Sequence, residues 1–295
     1  MFRIANQIND MDNRLVLTRQ QREYLLPKAY NAAVRAGEII LDIYSRKQDY
    51  DINLKSDNTP ITLADRLSHS LIKEYLAQTR IPLLSEEGRQ MLFDERKDWD
   101  MFWMVDPLDG TKEFIKGNNE FTVNIALMVS SRPAIGVIYV PYYRKMYFCE
   151  KGFGSFFKGD VAPDRTAEFT YEEIYDSARE LPLAQCCNSP IRVGVSRSHK
   201  NELTMRYIDE LRREHPDLQI VEQGSSYKFC MLAEGSIDYY VRTSDTYEWD
   251  TAAGEVILSE TGGTTKTLPE QAKFAYNKES LLNPHFICRN RFVVK

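Results

Sequence analysis

In the stretch "FWMVDPLDGTKEF", Phe102 to Phe114, an apolar run ends in two aspartates, Asp106 and Asp109, with Pro107 between them and Gly110-Thr111 after. Two readings suit that composition. As a plain turn, Pro107 presets φ, an aspartate caps, and Gly110 tolerates positive φ. As a cation seat, the rigid turn points both carboxylates into one place and exposes the Leu108 carbonyl as a further oxygen, with Thr111 alongside. Glu86 and Glu87 end a second apolar run, "PLLSEEG", and Asp250 opens the helical pattern "EWDTAAGEVIL". Each acid alone fits a cap or a helix-dipole role. Brought together, they repel one another unless a cation neutralises them, and oxygen-only ligation is what Mg2+ selects.

A second group of residues suits an anion. The segment "GSSYKFCMLAEG" opens a helix after Gly224, with Ser225 as a hydroxyl donor and Lys228 as a full charge one turn in. Arg242 ends the strand pattern "YYVR", where a guanidinium can grip phosphate bidentately. Ser196 and His199, in "SRSH", stand at another strand-to-helix corner. The plain alternatives are an N-cap for Ser225, a surface charge for Lys228 and a first-turn polar residue for His199. Asp65, three residues after Thr62 in "TPITLADRL", fits a capping box as readily as a catalytic role.

These residues need elements to hold them. With 295 residues and 43% hydrophobic content, the chain can bury a substantial core and divide into two lobes. A net charge of -5 with no Lys/Arg block argues against a nucleic-acid coat. Five cysteines lack C-x-x-C spacing and four scattered histidines form no zinc pattern, so a reduced, cytoplasmic protein is expected. No apolar run reaches membrane-spanning length. Residues 1 to 17 lack periodicity and read as a flexible extension. A helix follows Thr18, with Pro27 set to split or kink it, and a second follows Thr62. "FTVNIALMVS" with "RPAIGVIYV" predicts a hairpin, and "KMYFCEKGFGSFFKG" another. Gly152 and Gly154 in the latter suit a hairpin loop better than a dinucleotide fingerprint. Asp160 to Pro190 reads as the join between lobes. The second half then alternates strand and helix. The expected fold is α/β with mixed sheets: an N-terminal α+β lobe over 18–185 and a C-terminal α/β lobe over 186–295.

Taken together, "LLSEE", "DPLDGTKEFIKGNNEFTVNIAL", "SRSH", "GSSYKFCMLAEG", "WDTAAGE" and "LNPHF" resemble the Mg2+-dependent, lithium-sensitive superfamily of inositol monophosphatases and fructose bisphosphatases. Within it, they are most similar to the 3'(2'),5'-bisphosphate nucleotidases of the CysQ type. The similarity runs from about Leu25 to the C-terminus. It implies a two-lobed, five-layered αβαβα sandwich with metals between the lobes. Glu86, Asp106 and the Leu108 carbonyl would hold one Mg2+; Asp106, Asp109 and Asp250 would hold a second, with a third site left open. Two such ions would activate a water and stabilise the departing oxygen. Asp65 would accept the Thr111 hydroxyl proton. Ser196, His199, Gly224, Ser225, Lys228 and Arg242, with Asp109, Gly110, Thr111 and Asp250, would contact a bisphosphorylated nucleotide. The implied reaction removes the 3'-phosphate of adenosine 3',5'-bisphosphate, or of its sulfate-carrying relative. An inositol or sugar phosphatase on the same fold is the alternative, and a non-catalytic metal or nucleotide sensor a remote one. The departures from the pattern are the extension and Tyr247-Glu248, whose role the sequence leaves open, like Glu87, read here as a solvated neighbour. Oligomeric state is not legible.

Overall fold

The computed structural model describes residues 17–55 and 59–293. The expected N-terminal extension lies outside them except for Leu17, which is buried in the first core.

Helix α1, Arg19–Tyr44, starts at a capping box in which Thr18 Oγ1 accepts from the Gln21 N–H and the Gln21 side chain accepts from the Thr18 N–H. Contrary to expectation, Pro27 does not split it. A proline inside a helix costs about 3 kcal/mol through its missing bond and its clash. Leu25, Leu26, Ala29 and Tyr30 are all buried around it. Each large apolar side chain contributes about 1.5–3 kcal/mol by leaving water, so the buried face outweighs the break.

A short pair of strands, β1 (Asn53–Leu54) and β2 (Pro60–Ile61), leads into α2, Leu63–Leu76. Strands β3 (Leu83–Ser85), β4 (Met101–Asp109), β5 (Thr122–Val129), β6 (Arg132–Val140), β7 (Lys145–Glu150), β8 (Gly154–Lys158) and β9 (Arg179–Glu180) form a seven-stranded sheet in chain order. Only β3 and β4 pair in parallel. The two expected hairpins are β5–β6, turning through Ser130 and Ser131 at positive φ, and β7–β8, turning through Gly152. The Asp160–Pro190 stretch is tied to this first sheet as far as residue 180. It carries a short helix, α5 (Tyr171–Tyr175), and edge strand β9, and Asn31 of α1 holds the Phe169 backbone at both its N–H and its carbonyl.

The second sheet has the order β11 (Gln219–Gln223), β10 (Arg192–Ser196), β12 (Tyr239–Arg242), β14 (Phe286–Arg289), β13 (Thr264–Thr267). The strand–helix alternation of the sequence accounts for the first three, which are parallel. Strands β13 and β14 close the sheet antiparallel and were not expected. "TTKT" and "FICR", at four residues each, are too short to carry a strand signal alone.

Three cores order these elements into layers. The first packs α1 and α2 against one face of the seven-stranded sheet, including Trp103, Val105 and Leu127. The second fills the space between the sheets. Phe102, Met104 and Met128 meet helices α7 (Tyr227–Glu234) and α8 (Glu248–Glu260), which in turn meet Tyr240 and Phe286. The third places α6 (Glu202–Glu214) on the outer face of the second sheet. The result is the expected αβαβα sandwich. Because both faces of β4 and β5 are covered, their sequences run apolar without alternation. In the central layer a Cβ on Gly254 would lie 2.4 Å from the Phe229 ring, so glycine there sets how closely α7 and α8 pack. No described helix is long and apolar enough to cross a membrane. All five cysteines are free thiols.

Candidate active site

Strands β4, β10 and β12 end, and α7 and α8 begin, around one cleft of about 450 Å3. The register of β4 explains how Asp106 and Asp109 both reach it. Asp106 pairs with Asn124, but Asp109 pairs with Thr122, so β4 carries one extra residue. On a regular strand, residues three apart face opposite sides. The bulge at Pro107-Leu108 cancels that inversion and turns both aspartates into the cleft. Asp106 Oδ1 accepts the Leu108 N–H at 3.0 Å, fixing the bulge. Gly110 then turns the chain at φ +96°, where a Cβ would lie 2.9 Å from the Glu120 carbonyl, and α4 (Thr111–Lys116) begins. "DPLDG" is therefore a bulged strand end, not a free-standing turn.

Parallel pairing of β3 with β4 brings in the next acid, since the Glu86 N–H donates to the Val105 carbonyl at 3.1 Å. Asp250 arrives from α8, where Oδ2 caps the Tyr247 N–H at 2.8 Å. One oxygen from each of Glu86, Asp106 and Asp250 lies within 4.8 Å of the others. Burial, then Glu86, Asp109 and Asp250, push the Asp106 carboxyl well above the usual range, and burial with Asp109 and Glu86 does the same to Asp250. Burial also raises Asp109, against Lys228 and the Ser226 N–H, which donates to Asp109 Oδ2 at 2.5 Å. Three converging carboxylates on element ends, with only oxygen donors, are a charge imbalance that a hard divalent cation would relieve.

Lys55 offsets part of it, with Nζ 2.7 Å from Glu86 and 2.5 Å from Glu87. Glu87 is not the solvated neighbour expected: its side chain is 7% exposed, and burial with Glu86 pushes its carboxyl up to about 7. A chain position next to a metal-motif acid gives no sign of which way the side chain turns; β3 turns Glu87 toward Lys55 instead of solvent.

Asp65 is buried at the start of α2. Oδ2 accepts the Thr62 N–H at 2.7 Å and its hydroxyl at 2.5 Å, while Oδ1 accepts the Thr111 hydroxyl at 3.0 Å. The capping box and the Thr111 contact thus coexist on one carboxylate. Burial pushes Asp65 up to about 6, against the hydrogen bonds from Thr62 and Thr111. The Leu108 carbonyl lies 3.4 Å from the Thr111 hydroxyl and lines the same cleft.

The opposite side is basic. Lys228, expected at the surface by the plainer reading, is 1% exposed and donates to the carbonyls of Gln223 at 2.8 Å and Ser225 at 2.5 Å. Burial, then Arg242, lowers its ammonium to about 7. Arg242 donates to the carbonyls of Ser244 and Asp245 at 3.2 and 2.8 Å. Ser196, His199 and Ser225 line the cleft. Gly224 does not: its N–H goes to Glu120 at 2.7 Å, and the Ser226 N–H is already given to Asp109. Just before α7, the Gly224 and Ser226 amides are therefore occupied by protein carboxylates, and the Tyr227 N–H goes to the Ser225 hydroxyl at 3.3 Å.

Two features escaped the sequence. Lys112 lines the cleft with Nζ 2.8 Å from His199 Nε2, and Glu120 binds Arg197 through two 2.8 Å hydrogen bonds. Lys112 stands inside the "DGTKEF" motif, but its partner is 87 residues away, so spacing carried no signal. Glu248, left open, is fully buried outside the cleft. It accepts the N–H groups of Asn277 and Lys278 at 2.6 and 3.1 Å and pairs with the Lys278 ammonium, tying the 277–278 loop to α8.

Comparison with known proteins bears on the whole chain. The model of the inositol monophosphatase family matches residues 21–291. The 3'(2'),5'-bisphosphate nucleotidase CysQ of Buchnera aphidicola is 38% identical over 82% of this chain and 84% of its own. That of Salmonella typhimurium is 35% identical over 89% of this chain and 98% of its own. The crystal structure of CysQ from Bacteroides thetaiotaomicron superposes with a TM-score of 0.81 at 42% identity, covering 90% of this chain and 96% of that one. Fold, ordered motifs and relatives agree, and the chain belongs to the inositol monophosphatase family, in its CysQ-type branch.

Proposed function

We propose that this protein is a Mg2+-dependent phosphatase that removes the 3'-phosphate of adenosine 3',5'-bisphosphate, giving AMP and phosphate, and that accepts the sulfate-carrying relative of that nucleotide. The observation that carries this reading is the division of one cleft into a carboxylate end and a cationic end. A bisphosphate needs two anion seats: a cation on Glu86, Asp106 and Asp250 supplies one, and the Lys228–Arg242 side supplies the other. The curated relatives named as 3'(2'),5'-bisphosphate nucleotidases support the same substrate class.

Glu86, Asp106 and the Leu108 carbonyl would hold one Mg2+, and Asp106, Asp109 and Asp250 a second. When bound, the ions supply charge neutralisation for the phosphoryl oxygens and a lowered pKa for water. The remaining work falls to the chain. Asp65 takes the Thr111 hydroxyl proton in a hydrogen bond, which turns a lone pair of the threonine oxygen toward the cleft to accept from an attacking water. Asp65 is itself fixed by Thr62, so the pair is set before substrate arrives. Water adds to phosphorus as the bond to the ribose 3'-oxygen breaks. The proton it gives up passes to the Thr111 oxygen as the threonine proton moves to Asp65, and the departing 3'-oxygen takes a proton from solvent. Lys228 and Arg242 draw the second phosphate by their field, and the Ser196, His199 and Ser225 side chains supply polar contacts. The five free thiols fit a reducing, cytoplasmic setting.

The test is phosphate release by the purified protein with Mg2+ across adenosine 3',5'-bisphosphate, inositol monophosphates and fructose bisphosphate. The expected result is a kcat/KM for the bisphosphonucleotide at least about tenfold above the others, the discrimination one added charged contact provides. An equal or greater rate on inositol phosphates would reassign the cleft to the sugar-phosphatase reading. No release from any ester would leave a binding protein.

A further inference from the structure

We propose that Lys112 is the side chain by which the cleft grips the second phosphate of its substrate, making Lys112 the specificity-determining residue for bisphosphorylated over monophosphorylated nucleosides. The inference deepens the functional reading above and rests on it.

It follows from counting what each cation near the cleft already holds. Lys228 spends two of its three donors on the Gln223 and Ser225 carbonyls, and Arg242 two of its five on the Ser244 and Asp245 carbonyls. Both line the cleft but are buried and tied to backbone there. Arg197 is taken by Glu120 and Glu222, and Lys200 by Glu222. Lys116 is exposed, bonded to Ser198, and does not line the cleft. Lys112 differs from all of them. Among the described residues its ammonium has one hydrogen-bond partner, His199 Nε2 at 2.8 Å, and no carboxylate within ion-pairing distance. The adjacent acid, Glu113, is buried and accepts from the Ser198 hydroxyl at 2.5 Å. An ammonium carries three donors, so two of those on Lys112 remain for a ligand.

Its one partner is suited to aim it without neutralising it. His199 Nδ1 lies 3.4 Å from the Ser196 hydroxyl, and Nε2 faces Lys112. An ammonium only donates, so Nε2 must be the bare nitrogen and Nδ1 the protonated one. Burial, then Arg242, Lys112 and Lys228, lowers the imidazole to about 4, which keeps it neutral as that geometry requires. Ser196, His199 and Lys112 thus form a chain that orients a lysine into a cleft without cancelling its charge. Such a lysine suits a phosphate oxygen.

The experiment compares wild type, Lys112→Met and Lys112→Arg on adenosine 3',5'-bisphosphate and on adenosine 3'-monophosphate, with Mg2+ saturating. Lys116→Met serves as a control for bulk charge. The K112M change is expected to lower kcat/KM for the bisphosphate about 10- to 100-fold more than for the monophosphate, mainly through KM, the range of one charge-assisted contact. K112R should recover part of that difference, and K116M should not produce it. Calorimetry with 5'-AMP should give a matching loss of affinity in K112M while thermal unfolding shows that the variant is folded. A wild type without preference for the bisphosphate would overturn the functional reading itself. A wild-type preference that K112M retains, or that K116M erodes equally, would overturn only the assignment to Lys112.

Discussion

At one end of the cleft, three carboxylates approach within 4.8 Å on the ends of β3 and β4 and the start of α8. At the other, Lys112, Lys228, Arg242 and a neutral His199 gather on the corners of the second sheet and on α4. The two ends use different ways of holding like charge together. The acids are anchored by strand pairing and by backbone N–H groups, and among the described residues Lys55 pairs with Glu86. Lys228 and Arg242 are instead solvated by carbonyl oxygens, which lower the cost of burying a cation without neutralising it, and Lys112 rests on the neutral His199. The acidic end is therefore short of positive charge until a cation binds, while the basic end is held by neutral partners and leaves its cations without carboxylate partners for a ligand. Removing charge should raise stability at the first end and affect only binding at the second.

The largest expected effect breaks the acidic end. Asp106→Asn removes a carboxylate that burial and the neighbouring Glu86, Asp109 and Asp250 push well above the usual range, yet its amide oxygen can still accept from Leu108 N–H. Turnover should fall by at least about a thousandfold, the scale of losing one charged group aimed at the reacting centre. In metal-free buffer at pH 7 to 8, the variant should unfold at a higher temperature than wild type, by about 1–3 kcal/mol of relieved repulsion. Added Mg2+ should raise the melting temperature of wild type and leave that of D106N nearly unmoved. Thermal melts with and without Mg2+ decide the matter, and a D106N protein less stable than wild type in the absence of metal would contradict the imbalance argued here.

Asp65 gives the next effect, with a sign set by its pKa. The folded carboxyl titrates at about 6, above its ordinary 3.8, because it is buried. Its folded form therefore binds a proton more tightly than the unfolded chain does. The stability it contributes is complete below about pH 4 and is lost as pH rises through 6, a loss on the order of 3 kcal/mol. Asp65→Asn, whose amide can still meet Thr62 and Thr111, should remove that slope. Metal-free denaturant unfolding should show D65N gaining on wild type by about 1–3 kcal/mol between pH 4 and pH 8. Its turnover should drop about a hundredfold or more above pH 6, where the wild-type carboxylate is ionised, and by less below it, as expected when a proton acceptor is lost. A constant stability difference across that range would show that Asp65 is ionised in the fold from pH 4 upward.

The same contrast explains what the sequence could reveal. The acidic end is made of contiguous motifs at strand ends, so Asp106, Asp109 and Glu86 stand out locally. Covered strands and alternating elements point to α/β with mixed sheets, while the αβαβα layering was implied by the family resemblance. The bulge that lets both aspartates face inward is a register effect, visible only once β5 is paired. The basic end is assembled across long separations. Lys112 to His199 spans 87 residues and Glu120 to Gly224 spans 104, and neither partner announces the other. Gly224 was expected to contact the nucleotide, whereas the fold gives its amide to Glu120. Helix α1 continues through Pro27 because tertiary burial exceeds a local penalty that periodicity alone cannot weigh.

The smallest effect concerns the brace between the ends. Glu120 is buried just before β5, in the layer that carries the aspartates, and its carboxylate holds both the Arg197 guanidinium and the Gly224 N–H of the second sheet's loops. Arg197 also donates to the Glu222 carbonyl at 2.7 Å, so one side chain links the ends of β10 and β11 to the first sheet. Its side chain is 39% exposed, which limits the pair to about 1 kcal/mol of stability in water. Arg197→Met should thus leave the fold and the carboxylate trio intact, because Glu120 keeps its bond to Gly224. What it loosens is the position of Ser196 and His199 relative to Asp109. KM for the bisphosphate should rise about three- to tenfold while kcat stays within about twofold, the signature of weakened ground-state binding. A kcat loss approaching that of D106N would instead mean that the brace sets the geometry of the carboxylates, and the two ends would then have to be treated as one cooperative unit.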